Sequence, residues 1–215
     1  MQELLIEDGT VVGATVMHDG APRRVRARRG VLLATGGFSH NPDMRKKYQQ
    51  APTGSSWTAA APGATGDGIT MGESVGAALD FMQSAWWSPT YRIPDGRVLA
   101  LIAGKSNPSS IMVNKLGKRF TNEAKPYEDL VKDQYKSHAR GEDAIPSYLV
   151  FDAAYRKKYP AGHLKPGKIE NDNRLPQDLF DSGLLTKADT LEALAQKLGI
   201  DAAQLALTVE EFNIQ

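Results

Sequence analysis

Two glycine corners and one tyrosine have the residue types and spacing to do chemistry. Ala34-Thr35-Gly36-Gly37 ends a short apolar run, and Thr65-Gly66-Asp67-Gly68 opens an amphipathic stretch further along. Glycine has no Cβ, so a ligand can approach bare backbone N–H groups, and a helix start adds oriented donors. Both corners could therefore face a nucleotide-type cofactor, provided that the chain folds as an α/β layer. A carboxylate at a helix N-terminus is favoured by the dipole, and Asp67 could accept a bond from a sugar-type hydroxyl or simply cap the helix. Tyr127 is a further candidate group, which taken alone also reads as a residue of an amphipathic helix near the surface. Arg119 and Glu123, with Phe120 and Asn122, are candidates that read as structural anchors making charged hydrogen bonds, and Trp86-Trp87 offers broad apolar surface. In an extended segment adjacent side chains point to opposite sides, so only one of the two tryptophans can face a pocket.

Familiar self-contained sets are missing from the sequence. It has no GxGxxG, no Walker A loop, no GxSxG elbow and no cysteine, and His18, His40, His138 and His163 lack metal-ligand spacing, so no metal site is expected.

The elements that must position these residues begin with a β-meander over residues 3–34. Asp8-Gly9 and Asp19-Gly20 stand as two-residue turns between alternating segments. Val31 to Ala34 is unbroken apolar sequence, which predicts a strand buried on both faces. Asn41-Pro42 predicts a helix start, and residues 49–65 a loop. Asp67 is expected to cap a helix running through GITMGESVGAALDFM, with Gly72 and Gly76 allowing close packing. Beyond Leu79 follow the strand candidate IMVN, a KLGK turn, and a charged helix from about Tyr127 to Ala139. The strand SYLVFD and the helix DAAYRKKY come next, then a polar loop over residues 157–177. Two closing helices are capped by a Thr and an Asp, and Leu191, Leu194, Leu198, Ile200, Leu205, Leu207 and Phe212 are expected to share a small core.

The chain has 215 residues and a formal net charge of +1, from 26 basic and 25 acidic side chains. That balance does not suggest a nucleic-acid partner, which needs a marked basic excess on one face. No apolar run approaches a membrane span, and the expected location is the cytoplasm. Both ends read as cut: the sequence opens directly in strand-like LLIEDG and closes on a helix with no glycine or proline after it.

The ordered pieces ATGGF, TGDG, AWWSPT, SIMVNKLGKRFTNEAKPY, YLVFD and TLEALAQKLGID resemble the middle portion of flavoproteins of the fumarate reductase and 3-ketosteroid dehydrogenase superfamily. The resemblance covers nearly the whole chain. It implies an α/β plus α+β fold: a partial FAD-binding domain of glutathione-reductase type over residues 1–83, with its β-meander, and an α+β cap, or substrate, domain over residues 84–215. It further implies that Ala34, Thr35, Gly36, Gly37 and Asp67 approach FAD, and that Trp86, Trp87, Ser88 and Pro89 border the substrate.

The branch rests on two positions. In fumarate reductases the counterpart of Ser88 is a substrate-binding histidine and that of Tyr127 a proton-donating arginine. A dicarboxylate needs such cationic clamps. The NExxxY arrangement instead resembles 3-ketosteroid dehydrogenases, in which the matching tyrosine takes part in proton abstraction. This implies oxidation of a 3-ketosteroid or similar polycyclic ketone, a hydrophobic small molecule. A fumarate-reductase-like enzyme acting on another unsaturated acid or ketone is the alternative. For the isolated chain, a flavin-free, non-catalytic interaction module is expected, with self-association through exposed strand edges.

Overall fold

The computed structural model describes residues 2–102 and 104–214. It divides into two compact units, residues 1–56 with 60–84, and residues 57–59 with 85–215. Helix and sheet are mixed, and the ladders among the described residues are antiparallel, in one three-stranded and two two-stranded sheets. The expected α/β layer, which would carry parallel strands, is not formed by these residues.

In the first unit, β1 (Glu3–Glu7), β2 (Thr10–His18) and β3 (Ala21–Arg26) form the expected meander in the order β1-β2-β3. Both turns are built on positive φ: Asp8 at 49° and Gly9 at 75°, Asp19 at 51° and Gly20 at 78°. Two successive left-handed residues make the type I′ turn, whose twist matches that of the strands. A bulge between Leu5 and Ile6 shifts the β1–β2 register. At the centre of β2 a Cβ on Gly13 would run into the Val25 carbonyl oxygen, so this ladder closes only over glycine.

The apolar run after the meander departs from expectation. Val31 to Ala34 joins no ladder, and Leu32 is 89% exposed. An apolar run becomes a doubly buried strand only if neighbours flank it, and no described strand does.

Helix α1 (Pro42–Tyr48) starts as predicted, with the Asn41 side chain accepting from the N–H groups of Asp43 and Met44. Helix α2 (Asp67–Ser74) is shorter than predicted, and Asp67 is its first residue, not its cap. The cap is Gly66, in the left-handed region at φ 86°. Gly76, at φ 84°, ends the helix: its N–H bonds the Glu73 carbonyl while the Ala77 N–H bonds that of Gly72. That pair of bonds is a Schellman motif, which explains Gly76 without close packing. Gly72 is not crowded either, since a Cβ there would find its nearest neighbour at 3.5 Å.

The second unit holds two short ribbons, β4 (Thr90–Arg92) with β5 (Val98–Ala100) and β6 (Ser110–Val113) with β7 (Tyr148–Phe151). The β6–β7 ribbon is its centre. Ile111, Val113 and Val150 point to one side, against α6 (Leu191–Leu198) and α7 (Ala202–Ile214). Met112 points to the other, against Leu130, Val131 and Tyr135 of α3 (Tyr127–Ser137). Alternation thus gives two cores on one ribbon. Six of the seven residues expected in the closing core belong to it, whereas Leu207 is 53% exposed and belongs on the outer face of α7.

Helix α3 ends at Ser137 and passes into one wider π turn over His138–Glu142. Helix α4 (Ala153–Lys158) is capped by Asp152, and a short α5 (Asp178–Asp181) follows the polar loop. That loop is tied down by buried Arg156, which donates to the Asp172 carboxylate and to the carbonyls of Lys165 and Glu170. Among the described residues no helix is long and apolar enough to cross a membrane.

Candidate functional site

In the first unit the structure brings the two glycine corners together. The Gly66 N–H donates to the Gly37 carbonyl at 3.0 Å, and the His40 N–H to that of Ala64 at 2.9 Å. Asn41 ties both ends, capping α1 with its Oδ1 while its Nδ2 donates to the Thr65 carbonyl at 2.9 Å. At Gly68 an added Cβ would strike Thr35 Oγ1, and at Gly66 the Met44 sulfur, so glycine at both positions permits the approach. The close-packing glycines of this region are therefore Gly66 and Gly68, not Gly72 and Gly76.

Away from this contact the corner is open. Ala34, Thr35, Gly36 and Gly37 are exposed, and nothing lies within 4 Å of a Cβ built on Gly36 or Gly37. Asp67 is exposed in the first turn of α2, where its carboxylate accepts from Thr65 Oγ1 at 2.8 Å. Bare backbone next to a carboxylate at a helix N-terminus suits a dinucleotide with phosphate and hydroxyl groups.

In the second unit Tyr127 is the first residue of α3 and half-buried. Residues 127, 131 and 135 share one helix face, about two turns or ~12 Å from end to end. Trp87 packs edge-on against Tyr135 at 5.5 Å, and so lies on that stripe. Trp86 is 89% exposed, which makes it the tryptophan free to meet a ligand. Ser88 is half-buried and Pro89 buried.

The segment from Thr121 to Pro126, leading into Tyr127, is fixed by charge. Glu123, only 4% exposed, accepts from the Met112 N–H at 2.7 Å and from Arg119 Nε and Nη2 at 3.1 and 2.6 Å. Arg119 in turn lies over the Phe212 ring of α7 at 4.9 Å. Asp133 takes Thr121 Oγ1 at 3.0 Å and Lys125 Nζ at 2.7 Å. Burial opposes its ionisation, but the bonds from Lys125 and Thr121 prevail and hold its carboxyl below the usual range.

Lys105, also 4% exposed, donates to the carbonyls of Glu123 at 2.6 Å and Lys125 at 2.7 Å. Burial pushes its ammonium below the usual lysine range, with the Glu123 charge acting the other way. Sequence reasoning found Arg119 and Glu123 but missed Lys105 and Asp133. A lysine in a Gly-Lys-Ser-Asn-Pro loop carries no signal of burial.

Comparison with known proteins places the chain in a lineage. The family model described as FAD binding domain matches residues 1–215. A 3-oxosteroid 1-dehydrogenase of Mycolicibacterium smegmatis is 43% identical over 223 residues, covering 99% of this chain and 38% of the relative. A 4-oxocyclohex-2-ene-1-carboxylate 5-dehydrogenase of Sinomonas cyclohexanicum is 37% identical, covering 97% of this chain and 35% of the relative. The crystal structure of 3-ketosteroid delta1-dehydrogenase from Sterolibacterium denitrificans, in complex with 1,4-androstadiene-3,17-dione, superposes with a TM-score of 0.88 at 38% identity. That match covers 97% of this chain and 38% of the solved one. The chain thus spans little more than a third of the length of these relatives.

Proposed function

The chain belongs to the FAD binding domain family, and on that premise we propose that it is part of a longer FAD-dependent dehydrogenase that oxidises a 3-ketosteroid or similar polycyclic ketone. Residues 1–83 then form part of the flavin domain and residues 84–215 most of the substrate-covering cap. The single observation that carries this reading is the fixed presentation of Tyr127 at the head of α3, on a helix face shared with the Trp86-Trp87 segment. A rigid base beside apolar surface suits a flat hydrophobic ketone.

FAD fits the residues at the glycine corner. Ala34, Thr35, Gly36 and Gly37 would hold it through exposed backbone, and Asp67 would accept from one of its hydroxyls. When bound, the flavin accepts the hydride that the dehydrogenation releases. In its deprotonated form the Oη of Tyr127 would take the proton from the carbon beside the ketone, and the enolate-like oxygen so formed, held by hydrogen-bond donors, returns to the carbonyl as the neighbouring carbon gives up its hydride and a carbon–carbon double bond forms. Trp86 and Ser88 contact the substrate, with Trp87 and Pro89 supporting them from behind. Ser88 supplies no cation for a carboxylate substrate, which favours the ketone over fumarate.

Two features support a longer parent. The chain covers 38% of a 3-oxosteroid dehydrogenase, and Leu32 stands 89% exposed in an apolar run that would be buried inside a sheet. The 215-residue chain alone is then a colourless, non-catalytic module, whose free edges at β1 and β3 favour self-association in concentrated solution.

Assay of the full-length enzyme with a ketosteroid and an artificial electron acceptor tests the reading. Turnover is expected, and Tyr127→Phe should lower kcat by about 10² to 10⁴. Reduction of fumarate, or a fully active Tyr127→Phe variant, removes it. Stoichiometric flavin on the purified 215-residue chain removes the module reading alone.

A further inference from the structure

We propose that Lys105 is a positioning residue for Tyr127, its buried ammonium clamping the two carbonyls of the turn that delivers Tyr127 to the head of α3. The inference rests on the assignment of Tyr127 as proton acceptor.

The geometry is that of a clamp. The Glu123 and Lys125 carbonyls, two residues apart, both reach one ammonium at 2.6 and 2.7 Å. They can do so only because the backbone between them is curled: the Lys125 N–H returns to the Asn122 carbonyl at 3.1 Å, and the Ala124 N–H to Asn122 Oδ1 at 2.9 Å. Directly after the curl come Pro126, whose ring fixes φ, and then Tyr127. The other end of the clamp is equally fixed. Lys105 sits in a short 3-10 turn, Gly104–Ser106, where the Gly104 carbonyl accepts from Tyr155 Oη at 2.5 Å. Tyr155 is fully buried, and its one hydroxyl proton is shared between the Gly104 carbonyl and the Pro160 carbonyl at 2.8 Å.

Packing alone does not call for this lysine. The two apolar cores of the unit consist of other residues, and an apolar side chain at position 105 would avoid the desolvation of an ammonium. What the ammonium adds is direction: three donors on a compact charge hold two carbonyls that an apolar side chain could not. A base must stand within hydrogen-bond reach of the proton it takes, so a small shift of α3's first residue is costly to the reaction.

The test is a double-mutant cycle in the full-length, flavin-loaded enzyme, together with amide hydrogen exchange. Lys105→Met should lower kcat by about tenfold or more with KM changed by less than about threefold. Lys105→Arg should recover most of the loss. In a Tyr127→Phe background Lys105→Met should cost nothing further. Exchange should quicken over residues 122–128 and stay unchanged in β6 and β7. If Lys105→Met does not fold, Tyr155→Phe loosens the same turn from its far side and should show the same kcat loss and the same coupling to Tyr127→Phe. Losses that multiply in the double variant, a change confined to KM, or unaltered kcat and exchange would overturn the role of Lys105 while leaving Tyr127 in place. A fully active Tyr127→Phe variant removes the base assignment, and this inference with it.

Discussion

The two units hold their candidate residues by opposite means. In the first, glycines with positive φ and a few backbone bonds shape an open corner, and the adjoining apolar run has no strand beside it. In the second, a tyrosine is framed by buried Glu123 and Lys105 above a ribbon covered on both faces. On the proposed reading, the difference follows from what each would present. Bare backbone serves a ligand that brings its own oxygens and chemistry, whereas a reacting side chain must be aimed, and charged hydrogen bonds provide the aim.

The contrast breaks most sharply at Glu123. Glu123→Ala removes the acceptor of the buried Met112 N–H and the carboxylate paired with Arg119, and should cost about 3–5 kcal/mol in denaturant unfolding. A loss below about 1 kcal/mol would mean that the frame is surface-like and the contrast false. In the first unit Gly13→Ala should cost about 1–3 kcal/mol, because β3 must move off the new methyl. Exchange of the β2–β3 amides should report that change and leave β6 and β7 protected.

Acid should act as a graded effect on the second unit. Asp133 is depressed by the bonds of Lys125 and Thr121 against burial, and Glu142 by those of Arg140 and Ser137. Their stabilisation is fully present above about pH 4, where unfolded carboxylates titrate, and is lost as pH falls through the lower folded values. Melting temperature followed down through that range should fall, and Asp133→Asn should flatten the fall. The smallest effect belongs to Leu207→Ser on the exposed face of α7, within about 0.5 kcal/mol of the parent. Anything larger would place a partner on that face.

What the sequence revealed was local. Asp-Gly turns, Asn41 before α1 and Thr190 before α6 act within a few residues, so residue type alone carries them. The end of α2 is equally local but was hidden, because Gly76 reads either as a packing glycine or as a left-handed stop, and only its bonds decide. Val31 to Ala34 misleads for another reason: apolar sequence announces a demand for burial, not its supply. At the site, Arg119 and Glu123 are legible as anchoring residues by type, while their pairing with each other, the bond to Met112 and the burial of Lys105 depend on how the chain folds back on itself.

Trp57, Trp86 and Trp87 all fall in the second unit. Ultraviolet emission from this chain's tryptophans therefore reports on the second unit alone and is blind to unfolding of the glycine corner. Trp86, almost fully solvated, should emit to the red and be quenched by iodide, whereas Trp87 against Tyr135 should be shielded. A flat apolar molecule settling on the exposed ring would change the light before any turnover was measured.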